Sequence, residues 1–133
     1  MIVLDASVVI KWFQEEPDAS RALNFENAHI RGEENIVAPD LLFYEIANVL
    51  CYKNAVSTET AESALEVLSR IGIQTFTFLP IELKDVFRFA RDYGVSVYDA
   101  IYVVLAQKLH CDFVTADKRL YKKLAKFEFI RLL

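Results

Sequence analysis

Four acidic residues stand in surroundings where a carboxylate is costly, and their positions suggest one shared chemistry. Asp5 ends the apolar run Ile2-Val3-Leu4. Glu45 lies inside "DLLFYEIANVLCYK", where Asn48 and Tyr52 follow it at helical spacing. Asp99 is the one acid of the greasy segment "SVYDAIYVVLAQ". Asp117 closes "FVTAD". An unpaired buried carboxylate is disfavoured by several kcal/mol, roughly, so something must pair with such groups. Each has a local alternative. Asp5 and Asp117 can cap the helices that follow them, and Glu45 can lie on a solvent-facing stripe. Ser96 and Asp99 are spaced as a capping box, although Asp is shorter than the usual Glu or Gln. Asp99 shares a helical face with Tyr102, Val103 and Ala106, so we expect it to face the core. Taken together, four oxygen-donor acids without a neighbouring His or Cys suit a hard cation, Mg²⁺ or Mn²⁺. Such an ion can activate water against a phosphodiester and stabilise the attacking and leaving oxygens.

Those residues need a scaffold that brings them to one place. Short apolar segments at Met1–Leu4, 35–38, 74–79, 112–115 and 127–132 read as strands. Between them run helical patterns at 6–14, 18–31, 41–53, 57–70, 82–93, 97–109 and 117–126. Alternation of this kind predicts an α/β fold, a three-layer α/β/α sandwich around a mostly parallel central sheet. The 133 residues form a single domain, 1–133. Ligands of open parallel sheets sit beyond the carboxyl ends of the strands, where strand order reverses. Asp5 and Asp117 both follow strands, so both belong to that edge.

Composition sets limits. Apolar residues make up 54% of the chain and aromatics 13%, a surplus that suits a large core or a covered interface. The longest stretch free of charge, 71–81, is far short of the ~18 residues of a membrane span. No basic leader precedes the first strand, so the expected location is the cytoplasm, with no membrane partner. Cys51 and Cys111 form no metal-binding spacing and are expected as free thiols. The net charge is −4, yet 118–133 carries Lys118, Arg119, Lys122, Lys123, Lys126 and Arg131 against Glu128 alone. Lys118, Lys122 and Lys126 recur every fourth residue, with Arg119 and Lys123 alongside. They form either a solvated helix end or a cationic face for RNA phosphates. Trp12, Phe13, Tyr44, Tyr98 and Tyr102 are the aromatics that could stack bases. Trp12, beside Lys11, is the first expected at a partner surface.

Four pieces also resemble one family in order and spacing: "VLDASVVIKWF", "APDLLFYEIANVL", "SVYDAIYVVLA" and "DFVTADKRL". They resemble a PIN-domain protein, and within it a VapC-type toxin ribonuclease. The resemblance implies an Mg²⁺- or Mn²⁺-dependent endoribonuclease. It puts the acidic quartet on Asp5, Glu45, Asp99 and Asp117, with support from Ser7, Thr115 and Asn48. It further implies RNA as substrate, with Lys118, Arg119 and Lys122 placed to bind it, a homodimer, and a small VapB-type antitoxin. The alternatives are a non-catalytic RNA- or protein-binding subunit, and a processing nuclease that is no toxin.

Other doubly wound folds fit less well. A haloacid-dehalogenase-type phosphatase needs a second acid where Ser7 stands. A receiver domain needs an acid where the third strand ends in Leu79-Pro80. A nucleotide-binding loop needs glycines where "DASVVIKWF" has none.

Overall fold

The computed structural model describes residues 1–52 and 56–133. Five strands, β1 (Ile2–Leu4), β2 (Ile36–Pro39), β3 (Gln74–Phe76), β4 (Asp112–Thr115) and β5 (Ile130–Leu132), form one sheet in the order β3-β2-β1-β4-β5. Every pairing is parallel. The helices are α1 (Ala6–Val9), α2 (Ala19–Ile30), α3 (Leu41–Tyr52), α4 (Thr58–Ile71), α5 (Leu83–Tyr93), α6 (Val97–Leu109) and α7 (Lys118–Leu124). The sequence pattern extends the third helix to Lys53, which lies outside the described residues.

Strand order explains the layering. The chain moves outward from β1 through β2 to β3, returns to β4 on the far side of β1, and ends at β5. Right-handed crossovers then put α1–α4 on one face and α5–α7 on the other. The helix contacts agree: α1 meets α3, α3 meets α4, and α5 meets α6. Strands covered on both faces must be apolar throughout, and β1 and β2 are buried at every position. The order reverses between β1 and β4. Leu4 pairs with Val114, and the Asp5 amide donates to the Val114 carbonyl at 3.0 Å. This fixes Asp5 and the residues after Thr115 at one carboxyl edge.

Four differences from the sequence expectations have physical causes. The helix expected over 6–14 tightens after Val9 into a 3₁₀ turn, Ile10–Phe13. That turn points Trp12 inward against α2, where Nε1 donates to the Ala22 carbonyl at 2.9 Å. Trp12 is therefore buried, 9% exposed, and not a partner surface. Trp12→Phe should cost about 1 kcal/mol through that hydrogen bond, measured by urea denaturation. Next, β5 starts only at Ile130. Phe127 and Phe129 instead join Phe89 and Tyr93 in an aromatic cluster, with ring centroids 4.5–5.7 Å apart. The third strand likewise stops at Phe76, and Phe78 turns to the Lys108 ammonium, 5.0 Å from its ring centre. Finally, Asp40 has the residue type and position that predict a cap for α3, yet its carboxylate accepts from Thr77 Oγ1 at 2.8 Å.

Gly94 positions the site directly. It closes α5 in the left-handed region, φ 63°, which only glycine adopts at little cost. The chain can then turn at once, and Ser96 starts α6 two residues later.

Candidate active site

The innermost acid is Asp5. Its Oδ2 accepts from Ser7 Oγ at 2.6 Å and from Thr115 Oγ1 at 2.5 Å. Both hydroxyls are themselves held. Ser7 Oγ accepts from the Ala116 amide at 2.9 Å, and Thr115 Oγ1 from the Asp117 amide at 3.0 Å. Thr115 is the only polar residue among the described ones that is fully buried. This knot crosses from β1 to β4 and exists because the two strands are paired in register. Ser7 and Thr115 thus both hold the Asp5 carboxylate directly. Burial drives the Asp5 carboxyl above its ordinary value, the Ser7 and Thr115 hydrogen bonds oppose this, and the charge of Asp99 adds to the rise.

Glu45 approaches from α3 on one face of the sheet, and Tyr102 from α6 on the other. The Tyr102 hydroxyl donates to Glu45 Oε2 at 2.5 Å. Burial raises the Glu45 carboxyl, the tyrosine lowers it, and the charges of Asp5 and Asp99 raise it again. The charge of Asp99 thus bears on both Asp5 and Glu45, and that of Asp5 on Glu45, so the structure brings these three acids near one another. Asn48, exposed one turn beyond Glu45, takes no part in these hydrogen bonds.

The structure changes the expectation for Asp99. It is half-buried rather than core-facing, and the capping box is formed. Ser96 Oγ accepts from the Asp99 amide at 2.9 Å. Asp99 Oδ2 accepts from Ser96 Oγ at 2.7 Å and from the Ser96 amide at 3.3 Å. The short Asp does reach back, because the serine hydroxyl bridges part of the distance. Ser96→Ala should cost about 1 kcal/mol in thermal unfolding. Asp99→Asn keeps the accepting oxygen and should cost much less.

Asp117 lies on the same sheet edge but acts as an N-cap. Its Oδ1 accepts from the Arg119 and Leu120 amides at 2.7 and 3.1 Å. It is exposed, two residues beyond Thr115. Among the described residues, no three acidic, His or Cys side chains already stand as a finished ligand set. The donor chemistry nevertheless fits a hard divalent cation. The coupled acids offer only oxygen, and among the described residues no Lys or Arg is paired with Asp5, Glu45, Asp99 or Asp117.

The basic segment offers fewer free cations than its composition suggests. Lys123 Nζ donates to the Gly94 carbonyl at 2.6 Å, Lys126 sits 4.2 Å from the Tyr93 ring centre, and Arg131 pairs with Asp112 at 2.9 Å. Lys118, Arg119 and Lys122 remain exposed beside Asp117, with no ion pair among the described residues. Of the aromatics, Tyr102 is buried, and Tyr44 and Tyr98 are 72% and 62% exposed. Tyr98 precedes Asp99 and Tyr44 precedes Glu45, so both flank the acids. His29 lies elsewhere, its Nδ1 accepting from the Ile36 amide at 3.1 Å at the start of β2. His110 closes α6 with φ 50°. Cys51 and Cys111 are free. No described helix is long and apolar enough to cross a membrane.

The residue that sequence reasoning misses is Tyr102 as the partner of Glu45. Its one signal is position: a polar-tipped aromatic on the inward face of α6, one turn after Asp99.

Known proteins resemble this chain along most of its length. The family model described as "PIN domain" matches residues 2–126. The chain is 33% identical over 128 residues to ribonuclease VapC3 of Pyrobaculum aerophilum, covering 92% of this chain and 93% of that protein. It is 28% identical over 127 residues to ribonuclease VapC9 of Mycobacterium tuberculosis, covering 90% and 88%. Its fold resembles PAE2754 from Pyrobaculum aerophilum, with a TM-score of 0.72 at 21% identity over 98% of this chain and 89% of that one. It also resembles FitAcB from Neisseria gonorrhoeae, with a TM-score of 0.67 at 13% identity over 100% and 96%.

Proposed function

The chain belongs to the PIN-domain family, and on that premise we propose that it is an endoribonuclease, the toxin of a VapBC-type toxin–antitoxin pair, with Asp5, Glu45, Asp99 and Asp117 as its catalytic acids. The observation that carries this reading is the buried Asp5 carboxylate at the switch point of the sheet, held by Ser7 and Thr115, with Glu45 held by Tyr102 and no basic partner at either acid among the described residues. An acid cluster with no basic partner is a poor structural device and a good cation site.

The four acids would hold a divalent cation, with Mg²⁺ or Mn²⁺ the ions of choice. Such an ion supplies Lewis acidity toward the phosphate and acidifies a water. The chain's own residues do the rest. Ser7 and Thr115 fix the orientation of Asp5. Glu45, held at Oε2 by Tyr102, keeps Oε1 free to ligate the ion or to orient the attacking water. Lys118, Arg119 and Lys122 neutralise RNA phosphates next to Asp117, so affinity should fall steeply with salt. Tyr44 and Tyr98 supply exposed aromatic surface at the rim for stacked bases. Histidine chemistry has no part, because His29 and His110 are committed elsewhere.

A small VapB-type antitoxin is the expected partner, and a homodimer the expected assembly, checked by analytical ultracentrifugation. The test of function is Mn²⁺ and Mg²⁺ calorimetry alongside cleavage of a mixed RNA pool, comparing the unaltered chain with Asp99→Asn. Metal binding and RNA loss in the former, with both lost or weakened in the latter, support the reading. A chain that binds neither ion and leaves RNA intact overturns it.

A further inference from the structure

In Glu45, Asp99 and Asp117 the protein's own donors converge on a single oxygen, and in Asp5 both side-chain donors do. For Asp5 it is Oδ2, reached by the hydroxyls of Ser7 and Thr115. For Asp99 it is Oδ2, reached by the hydroxyl and amide of Ser96. For Asp117 it is Oδ1, reached by two amides. For Glu45 it is Oε2, reached by Tyr102 alone. The second oxygens of Glu45, Asp99 and Asp117 accept no hydrogen bond among the described residues.

Tyr102 is the donor in this pattern that crosses from one helical layer to the other. Asp117 caps α7 and Asp99 belongs to the cap of α6, so their contacts would exist without a cation. The Tyr102 hydroxyl meets the Ala6 amide at the start of α1 and still gives its own proton to Glu45. It comes from a side chain only 1% exposed, and its ring stacks on Phe113 with centroids 6.1 Å apart and planes at 27°. Phe113 lies in β4 beside β1. The hydroxyl is therefore mounted on the sheet itself and delivered across the site to a glutamate on the opposite helical layer. A buried, packed ring has little freedom, so it can hold a flexible side chain such as Glu45 in one rotamer.

We propose that Tyr102 is a positioning residue that occupies one oxygen of Glu45, so that this acid meets a cation through a single oxygen. The inference rests on the metal-nuclease reading given above. It has a consequence for ion choice. Ca²⁺ favours many oxygen ligands, often with both oxygens of one carboxylate. Mg²⁺ is smaller and keeps several waters. A Glu45 with one oxygen already engaged suits the smaller ion.

The test is Tyr102→Phe, which keeps the ring and removes only the donor. Binding of Mn²⁺ and of Ca²⁺ is followed by calorimetry, and RNA cleavage is separated into kcat and KM. Affinity for Mn²⁺ should fall about 10-fold, the usual effect of losing a group that orients a metal ligand. The Ca²⁺ affinity should hold or rise, which narrows the ratio between the ions. The kcat should fall about 10-fold with KM for RNA unchanged. In a Glu45→Ala background the same substitution should change metal binding by less than about 2-fold, because the effect travels through Glu45.

A readout that needs no change at Tyr102 is the tyrosine ultraviolet difference spectrum on Mn²⁺ addition. A shift in the unaltered chain, absent in Glu45→Ala, supports the assignment. Unchanged ion ratio and kcat in Tyr102→Phe, or equal losses with and without Glu45, overturn it. An unaltered chain that binds no ion and cuts no RNA would instead refute the nuclease reading.

Discussion

Asp5→Asn is expected to abolish RNA cleavage, by at least ~100-fold, and to raise the melting temperature of the metal-free protein at neutral pH. The first effect follows from removing the innermost acid of the cluster. The second follows from burial, which lifts the Asp5 carboxyl above its unfolded value near 3.9. A group raised in this way binds its proton more tightly in the folded state. It favours folding fully below the unfolded value, and that contribution is lost as pH rises through the folded value. Above the unfolded value the buried Asp5 is thus a burden that asparagine lacks, while the amide oxygen can still accept from Ser7 and Thr115. Glu45 is raised for the same leading reason and acts with the same sign. Melting curves of both proteins, free of metal, should diverge as pH climbs from about 4 to 7 and converge at the acid end. Each kcal/mol gained would read as roughly 3–5 °C. A parallel pH dependence of the two proteins would contradict this account, and so would cleavage that survives the substitution.

Thr115→Val should show the opposite balance, a large loss of stability together with the loss of activity. Valine matches the shape of threonine and suits a strand, so β4 keeps its packing. What disappears is a hydroxyl that gives a hydrogen bond to Asp5 and takes one from the Asp117 amide. Both groups then lose a partner at a fully buried position. The expected cost is about 2–3 kcal/mol at pH 7, read by urea denaturation. Thr115→Ser, which keeps the hydroxyl, should recover most of both losses. Combining Thr115→Val with Asp5→Asn should cost less than the two changes would separately, because they share one contact. A serine variant as impaired as the valine variant would assign the role to the methyl group instead.

Much of this is legible in the amino-acid sequence itself. The strands are short and apolar because helices cover both faces, and that pattern marks Asp5 and Asp117 as edge residues whatever the rest of the fold does. Ser57 and Ser96 announce the starts of α4 and α6 through ordinary capping chemistry. What is not legible depends on partners distant in sequence. A helical wheel places Trp12 beside Lys11 at the surface, and a 3₁₀ turn moves it to α2. Lys123 and Lys126 have the spacing of RNA contacts, but Gly94 and Tyr93, about thirty residues earlier, claim them. Tyr102 has the pattern of a core residue because nothing local shows that Glu45 lies at the end of its ring. Asp99 has two readings in the sequence, and the structure shows the capping contact on one oxygen, with its charge also bearing on Asp5 and Glu45.

The pairing of β1 with β4 also bears on when the protein becomes active. Ser7 and Thr115 are 108 positions apart, and Asp5 and Thr115 are 110 apart, yet they share one knot of hydrogen bonds. Contacts so far apart in sequence form late, because closing the intervening loop costs entropy before any contact repays it. During synthesis the chain emerges with Asp5, Glu45 and Asp99 already present but without the strand that seats Asp5. Until β4 has joined the sheet, Asp5 therefore lacks the Thr115 hydroxyl that seats it, and the candidate site is completed by the last third of the chain.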